Sequence, residues 1–170
     1  MAKRPTSRKA GKPDTRQKIK KRATRKAKQK SAEPSAYTVF ISHSSKERWI
    51  ARQISKEIET LGAKTWLDLK DLHGGDEIRR SIRRGIRASQ EAIVLLSANS
   101  ITSQWVIYEA GIAYSQGKRI TPILNNLAPD ETIAPLQGIK ALDLNDFDDF
   151  LVELAGRIKK RLGKTRKAVI

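Results

Sequence analysis

Glu91-Ala-Ile-Val-Leu-Leu-Ser97 is an unbroken apolar run closed by a serine. A run this short, apolar at every inner position, reads as a strand that needs cover on both faces. It belongs inside a mostly parallel sheet flanked by helices. Upstream, Tyr37-Thr-Val-Phe-Ile-Ser42 is a second β-branched and aromatic run bounded by polar residues. Between the two, Ser44 or Ser45 can cap a helix with Glu47 in its first turn. Trp49, Ile50, Ile54, Ile58 and Leu61 recur there at helical spacing, and Gly62 ends it. Ala63–Leu69 reads as a strand, Asp71–Gly75 as a turn, and a helix from about Asp76 carries Ile78, Ile82 and Ile86. Downstream come a helix over Ser103–Gln116, closed by Gly117, and a strand over Arg119–Leu124. Pro122 argues against a central position along that whole strand. Asn125–Gly138 is a loop, Ile139–Leu144 a short fifth strand, and Asp146–Arg161 a closing helix. Phe147, Phe150, Leu151, Leu154, Ile158 and Leu162 share one face of that helix. Strand and helix alternate about five times, which predicts an α/β fold with right-handed crossovers. Ligands in such folds sit beyond the carboxyl ends of the strands. The segments there are Ser42–Ser45, Asp68–Gly75 and Ser97–Trp105.

The chain has 170 residues, the length of one domain, and a net charge of +17 from 35 Lys+Arg against 18 Asp+Glu. That excess first suggests a polyanion binder, but it lies at the two ends. Residues 1–35 hold 14 basic and 2 acidic residues, and residues 157–170 hold 7 basic and none acidic. Residues 36–156 hold 14 basic and 16 acidic residues, close to neutrality. The expected organisation is a basic, disordered arm over 1–35, a folded domain over 36–162 and a basic tail over 163–170. The arm's Lys and Arg density suits sequence-independent attachment to nucleic acid or an anionic surface. It has no aromatic residue to stack on bases. The absence of cysteine excludes a disulfide scaffold and thiolate chemistry. No apolar run reaches the roughly 18 residues of a transmembrane segment, and no secretory h-region opens the chain, so a cytoplasmic location is expected.

Trp105 and Glu109 stand at i and i+4 near the start of a helix, where the dipole favours an ionised carboxylate. A carboxylate there can stabilise oxocarbenium character at a sugar's anomeric carbon, and an aromatic plane one turn away can stack on a cationic ring. Equally, Trp105 can be a core anchor and Glu109 a surface partner for arginine. His43 and Ser44 follow the first strand and Asp68 ends the second, positions that also suit helix and turn caps. Arg79, Arg80, Arg83, Arg84 and Arg87 stripe one helix as a solvated or contact face, and Asp143, Asp146, Asp148 and Asp149 cluster before the last helix. No Gly-Lys-Ser/Thr follows the glycines of Asp71–Gly75, so this is no P-loop. No order of Ser, His and Asp supports a hydrolase triad, and two histidines make no metal site.

Val39-Phe-Ile-Ser-His-Ser-Ser45 resembles the first conserved box of Toll/interleukin-1 receptor (TIR) domains of the bacterial NAD-cleaving type. Asp68-Leu-Lys-Asp-Leu-His-Gly-Gly-Asp76, leading into Ile78, Ile82 and Ile86, resembles their BB loop and next helix. Ser97 and Ser103-Gln-Trp-Val-Ile-Tyr-Glu109 resemble the segment that carries their glutamate. The resemblance spans roughly residues 36–162. It implies a flavodoxin-like three-layer sandwich with a central, mostly parallel five-stranded sheet. It implies NAD+ as substrate with no further cofactor, Glu109 as catalytic residue, and Trp105, His43, Ser44 and Asp68 as substrate contacts. The His-Ser pair departs from the aromatic-arginine pair of some members. The resemblance further implies nicotinamide and linear or cyclic ADP-ribose as products, self-assembly with other TIR domains, and a part in antiphage immunity or signalling. Two other readings are a TIR–TIR interaction scaffold or host-signalling mimic without chemistry, and an enzyme like the nucleoside deoxyribosyltransferases.

Overall fold

The computed structural model describes residues 36–67 and 77–167. The arm over 1–35, Asp68, the turn Asp71–Gly75, the helix start at Asp76, the side chain of Leu162 and residues 168–170 lie outside the described residues. Among the described residues there are five strands: β1 Thr38–Ser42, β2 Lys64–Leu67, β3 Glu91–Leu96, β4 Arg119–Leu124 and β5 Leu142–Asp143. Four α-helices alternate with them: α1 Arg48–Thr60, α2 Ile78–Ala88, α3 Gln104–Ser115 and α4 Phe147–Lys167. The sheet order is β2-β1-β3-β4-β5, and every pairing is parallel. This is the flavodoxin-like order, whose switch point lies between β1 and β3.

All six residues of β3 are buried, as its composition predicts. Ile93 and Leu95 face one layer with Val39, Ile41, Ile54, Ile58, Phe150 and Leu154, which closes α1 and α4 onto the sheet. Ala92, Val94 and Leu96 face the other with Phe40, Ile82, Ile86, Val106 and Ala110, which closes α2 and α3 onto it. The period-two alternation of β1 and β3 thus produces both outer layers from two short strands. Burying each of these large side chains stabilises by about 1.5–3 kcal/mol relative to exposure.

Pro122 pairs with Val94 on β3, while β5 pairs only with Ile123 and Leu124. The β5 side of β4 is therefore open at the proline, which is where a residue without an N–H is tolerated. The fifth strand is shorter than its apolar content suggests, two residues rather than six, and the last helix runs on to Lys167. Trp49 does not join the core; it is 72% exposed. It sits five residues before Ile54, about 140° round the helix from it, so it faces away from the stripe that packs. Ile78, at the first turn of α2, is 46% exposed while Ile82 and Ile86 are buried. Asp143 accepts from the backbone and side-chain nitrogens of Asn145 at 2.8 Å, so that member of the acidic cluster caps the turn before α4.

Helix α2 meets β2 through a close approach. Trp66 stacks on Phe40 with centroids 5.0 Å apart, and the space beneath it is left by Gly85. A Cβ at Gly85 would lie 2.6 Å from Trp66 Cε2. Gly85→Ala should therefore displace the indole and destabilise the domain by about 1–3 kcal/mol, seen as a lower urea midpoint with unchanged slope. Gly111→Ala, where an added Cβ meets nothing within 4 Å, should be neutral or stabilising.

Candidate active site

Ser42 is the last residue of β1 and shares the parity of Phe40, so its side chain points to the layer of α2 and α3. Helix α3 begins where Ser103 accepts from the Val106 N–H at 3.4 Å. It then crosses that same face with Val106, Ala110 and Ala113 buried beneath it. Glu109 lies between them and is only 1% exposed. The Ser42 hydroxyl donates to Glu109 Oε2 at 2.5 Å. A carboxylate is thus fixed at the carboxyl end of β1, beside the β1/β3 switch point where α/β folds bind ligands. Glu109 is thus in the core and not on the surface.

The neighbouring loops are tied into a frame. His43 is 5% exposed, with its Nδ1 3.4 Å from the Ile41 carbonyl oxygen. Ser44 caps the 3-10 turn Ser45–Glu47, accepting from the Lys46 N–H at 3.4 Å. Lys46 Nζ reaches Asn99 Oδ1 at 3.3 Å, linking the loop after β1 to the loop after β3. That second loop is pinned by the Ser97 N–H donating to Ser100 Oγ at 2.6 Å and the Asn99 N–H donating to Ser97 Oγ at 3.1 Å. Trp105 is half-buried, packs against the α2/α3 layer and lies 5.7 Å from the Tyr108 ring. The Tyr108 ring in turn carries the Arg79 guanidinium 5.9 Å from its centroid.

His43 and Ser44 therefore directly follow the residue that binds Glu109, and Trp105 stands one turn before it. Asp68 lies outside the described residues. Ser42 is the residue that sequence reasoning missed. Its signal was available, because a serine two residues after a core phenylalanine on a buried strand must find a polar partner in the layer above.

A family model described as TIR domain matches residues 39–155. The chain belongs to the TIR domain family. It is 34% identical over 101 residues to the NAD(+) hydrolase TcpC of Escherichia coli O6:H1, covering 56% of this chain and 33% of that protein. It is 30% identical over 102 residues to the 2' cyclic ADP-D-ribose synthase AbTIR of Acinetobacter baumannii, covering 57% of this chain and 38% of that protein. The chain thus spans well under half the length of these relatives. Among solved structures it resembles the TIR domain of the Toll-related receptor TRR-2 of Hydra magnipapillata, with a TM-score of 0.60 at 23% identity. That match covers 74% of this chain and 98% of the other.

The Ser42–Glu109 bond gives a direct test of the site's geometry. Ser42→Ala should destabilise the TIR domain by about 1–3 kcal/mol, because a donor to a buried carboxylate is lost. A double-mutant cycle with Glu109→Gln, followed by chemical denaturation, should return a coupling of about 0.5–3 kcal/mol.

Proposed function

We propose that this TIR domain breaks the nicotinamide–ribose bond of NAD+, with Glu109 as the catalytic carboxylate. The observation that carries the reading is a buried glutamate held by Ser42 at the sheet's switch point. The names of its relatives, NAD(+) hydrolase and cyclic ADP-ribose synthase, support the same chemistry.

The nicotinamide ring of NAD+ is cationic while attached. As the bond between its nitrogen and the ribose anomeric carbon breaks, the electron pair leaves with the ring, which departs neutral. It needs no acid to protonate it, so one carboxylate suffices. Positive charge develops on the ribose, and the Glu109 carboxylate stabilises it through space or holds the ribose hydroxyls. A water molecule then adds and loses a proton to give ADP-ribose, or a hydroxyl of the same molecule adds and likewise loses its proton to give a cyclic product. Trp105 supplies an aromatic face for the departing ring. His43, Ser44 and Asp68 contact the phosphates or ribose. Ser42 is a positioning residue, because it touches the carboxylate rather than the substrate.

In the arrangement described, Glu109 is covered. Contact with substrate requires a movement, and we assign it to self-assembly with further TIR domains. Trp49, Tyr114 and Val152, exposed at 72%, 64% and 74%, give apolar surface for such contacts. The biological setting we assign is antiphage immunity, through NAD+ depletion or a nucleotide signal.

Clustered wild-type protein incubated with NAD+ should release nicotinamide, and Glu109→Gln should lower kcat by about 10²–10³-fold. Ser42→Ala should lower kcat by up to about a hundredfold, with little change in KM. Release that survives Glu109→Gln intact would remove the assignment. Cells expressing the wild type should give fewer phage plaques than cells expressing Glu109→Gln.

A further inference from the structure

Helix α2 and the start of α4 carry opposite, unbalanced charge. Residues 78–88 hold five arginines and no acidic residue. All five, Arg79, Arg80, Arg83, Arg84 and Arg87, are exposed. They stand three and four apart, a spacing at which like charges weaken a helix. Arg80 has a carboxylate at hand, Glu77 at 3.1 Å. Arg79 lies over the Tyr108 ring, and Arg84 donates to Ser81 Oγ at 3.0 Å, contacts that bring no negative charge. Among the described residues no carboxylate forms an ion pair with Arg83, Arg84 or Arg87.

Residues 141–156 are the reverse, with five acidic residues and no basic one. Glu153 is paired with Arg157 and Arg119, and Asp143 caps the turn before α4. Asp146, Asp148 and Asp149 are exposed and form no ion pair among the described residues. The dipole of α4 favours carboxylates in its first turn but leaves their charge in place. The two patches also cannot neutralise each other within one chain. Gly85 of α2 meets Trp66 of β2, at one margin of the sheet. The acidic residues directly follow β5, at the other margin. The strand spacings between those margins add up to about 19 Å. That is more than twice the Debye length of about 8 Å at physiological ionic strength.

We propose that the arginine face of α2 docks on the acidic start of α4 in a second copy of this chain. Charge complementarity selects this occupant. A second copy brings carboxylates to the arginines and arginines to the carboxylates. A polyanion serves α2 alone and leaves Asp146, Asp148 and Asp149 as they are. The placing of the patches sets the symmetry. Faces at opposite margins of one sheet meet their counterparts one at a time. Each contact leaves an arginine face free at one end and an acidic face free at the other. The copies therefore repeat head to tail instead of closing as a two-fold dimer. This deepens the self-assembly assigned above, on which it rests, by naming the two faces that meet.

The test follows the mean mass of the full chain by light scattering across a concentration series at about 50 mM salt. Wild type should grow in mass with concentration, and the growth should shrink at about 500 mM salt. R83E/R84E and D148K/D149K should each raise the concentration needed for assembly at least about tenfold. Mixing the two in equal amounts should restore assembly, because each reversed face then meets a reversed face. R83E/R84E/D148K/D149K, which keeps the wild-type net charge, should assemble on its own. R52E/K56E places the charge change of R83E/R84E on exposed positions of α1 and should assemble as wild type. R83Q/R84Q and D148N/D149N, milder for folding, should fall between the reversals and wild type. Wild type that stays monomeric throughout would overturn this proposal and the self-assembly together. Assembly that ignores both reversals would overturn these two faces alone. Loss in D148K/D149K but not in R83E/R84E would give the acidic patch to another cationic segment and overturn the pairing. Absence of recovery on mixing would show that the faces do not meet. Nicotinamide release is not read in this assay, so the catalytic assignment stands or falls separately.

Discussion

β3 has no face exposed to water, and the rest of the domain follows from that. Its six buried residues need a parallel neighbour on each edge and a helical layer on each side. β1 and β4 supply the edges, α1 with α4 and α2 with α3 supply the layers, and the right-handed crossovers leave few other ways to thread the chain. Because β2 and β3 lie on opposite sides of β1, the chain reverses its direction of travel across the sheet at the β1/β3 boundary. The crevice this reversal creates is where Glu109 is found. The position of Glu109 is therefore a result of how the central strand is covered.

A buried carboxylate is costly to keep charged, and a fold that retains one must hold it. Here the hold comes from Ser42, 67 residues away in sequence. The same strand that contributes Phe40 to the core contributes this hydroxyl two residues later, so packing and polar positioning come from a single alternation. Glu91 is a contrasting case. It is also buried, and burial pushes its pKa up even with Arg157 and Arg119 beside it. It lies at the opposite end of the sheet and ties α4 to the start of β3. The two carboxylates mark the two ends of the same parallel sheet.

Most of the architecture was legible in the residues, because buried strands and amphipathic helices leave periodic traces. The apolar run of β3, the alternation in β1 and the glycine after α3 all led to the elements observed. Pro122 correctly indicated an edge along part of β4. Trp49 misled, because an aromatic residue at the margin of a stripe was counted with the stripe, although its angle on the helix carries it outward. The placing of Trp105 and Glu109 one turn apart near the start of a helix was legible from their spacing. That Ser42 needs a buried polar partner was legible too, but not that the partner is Glu109, because the pairing of residues on different elements depends on which layer covers which face.

Among the described residues the two margins of the sheet are short. β2 shows four residues there and β5 has two, and the margin of β4 beyond β5 is interrupted by a residue with no N–H. Along these described strands little unpaired backbone is therefore offered to a second molecule. Copies of this domain are poorly equipped to join by extending one another's sheets, the route that leads to irreversible fibres. A contact between copies would rest instead on side chains of helices and loops. Contacts of that kind can be strengthened, weakened or reversed by single substitutions.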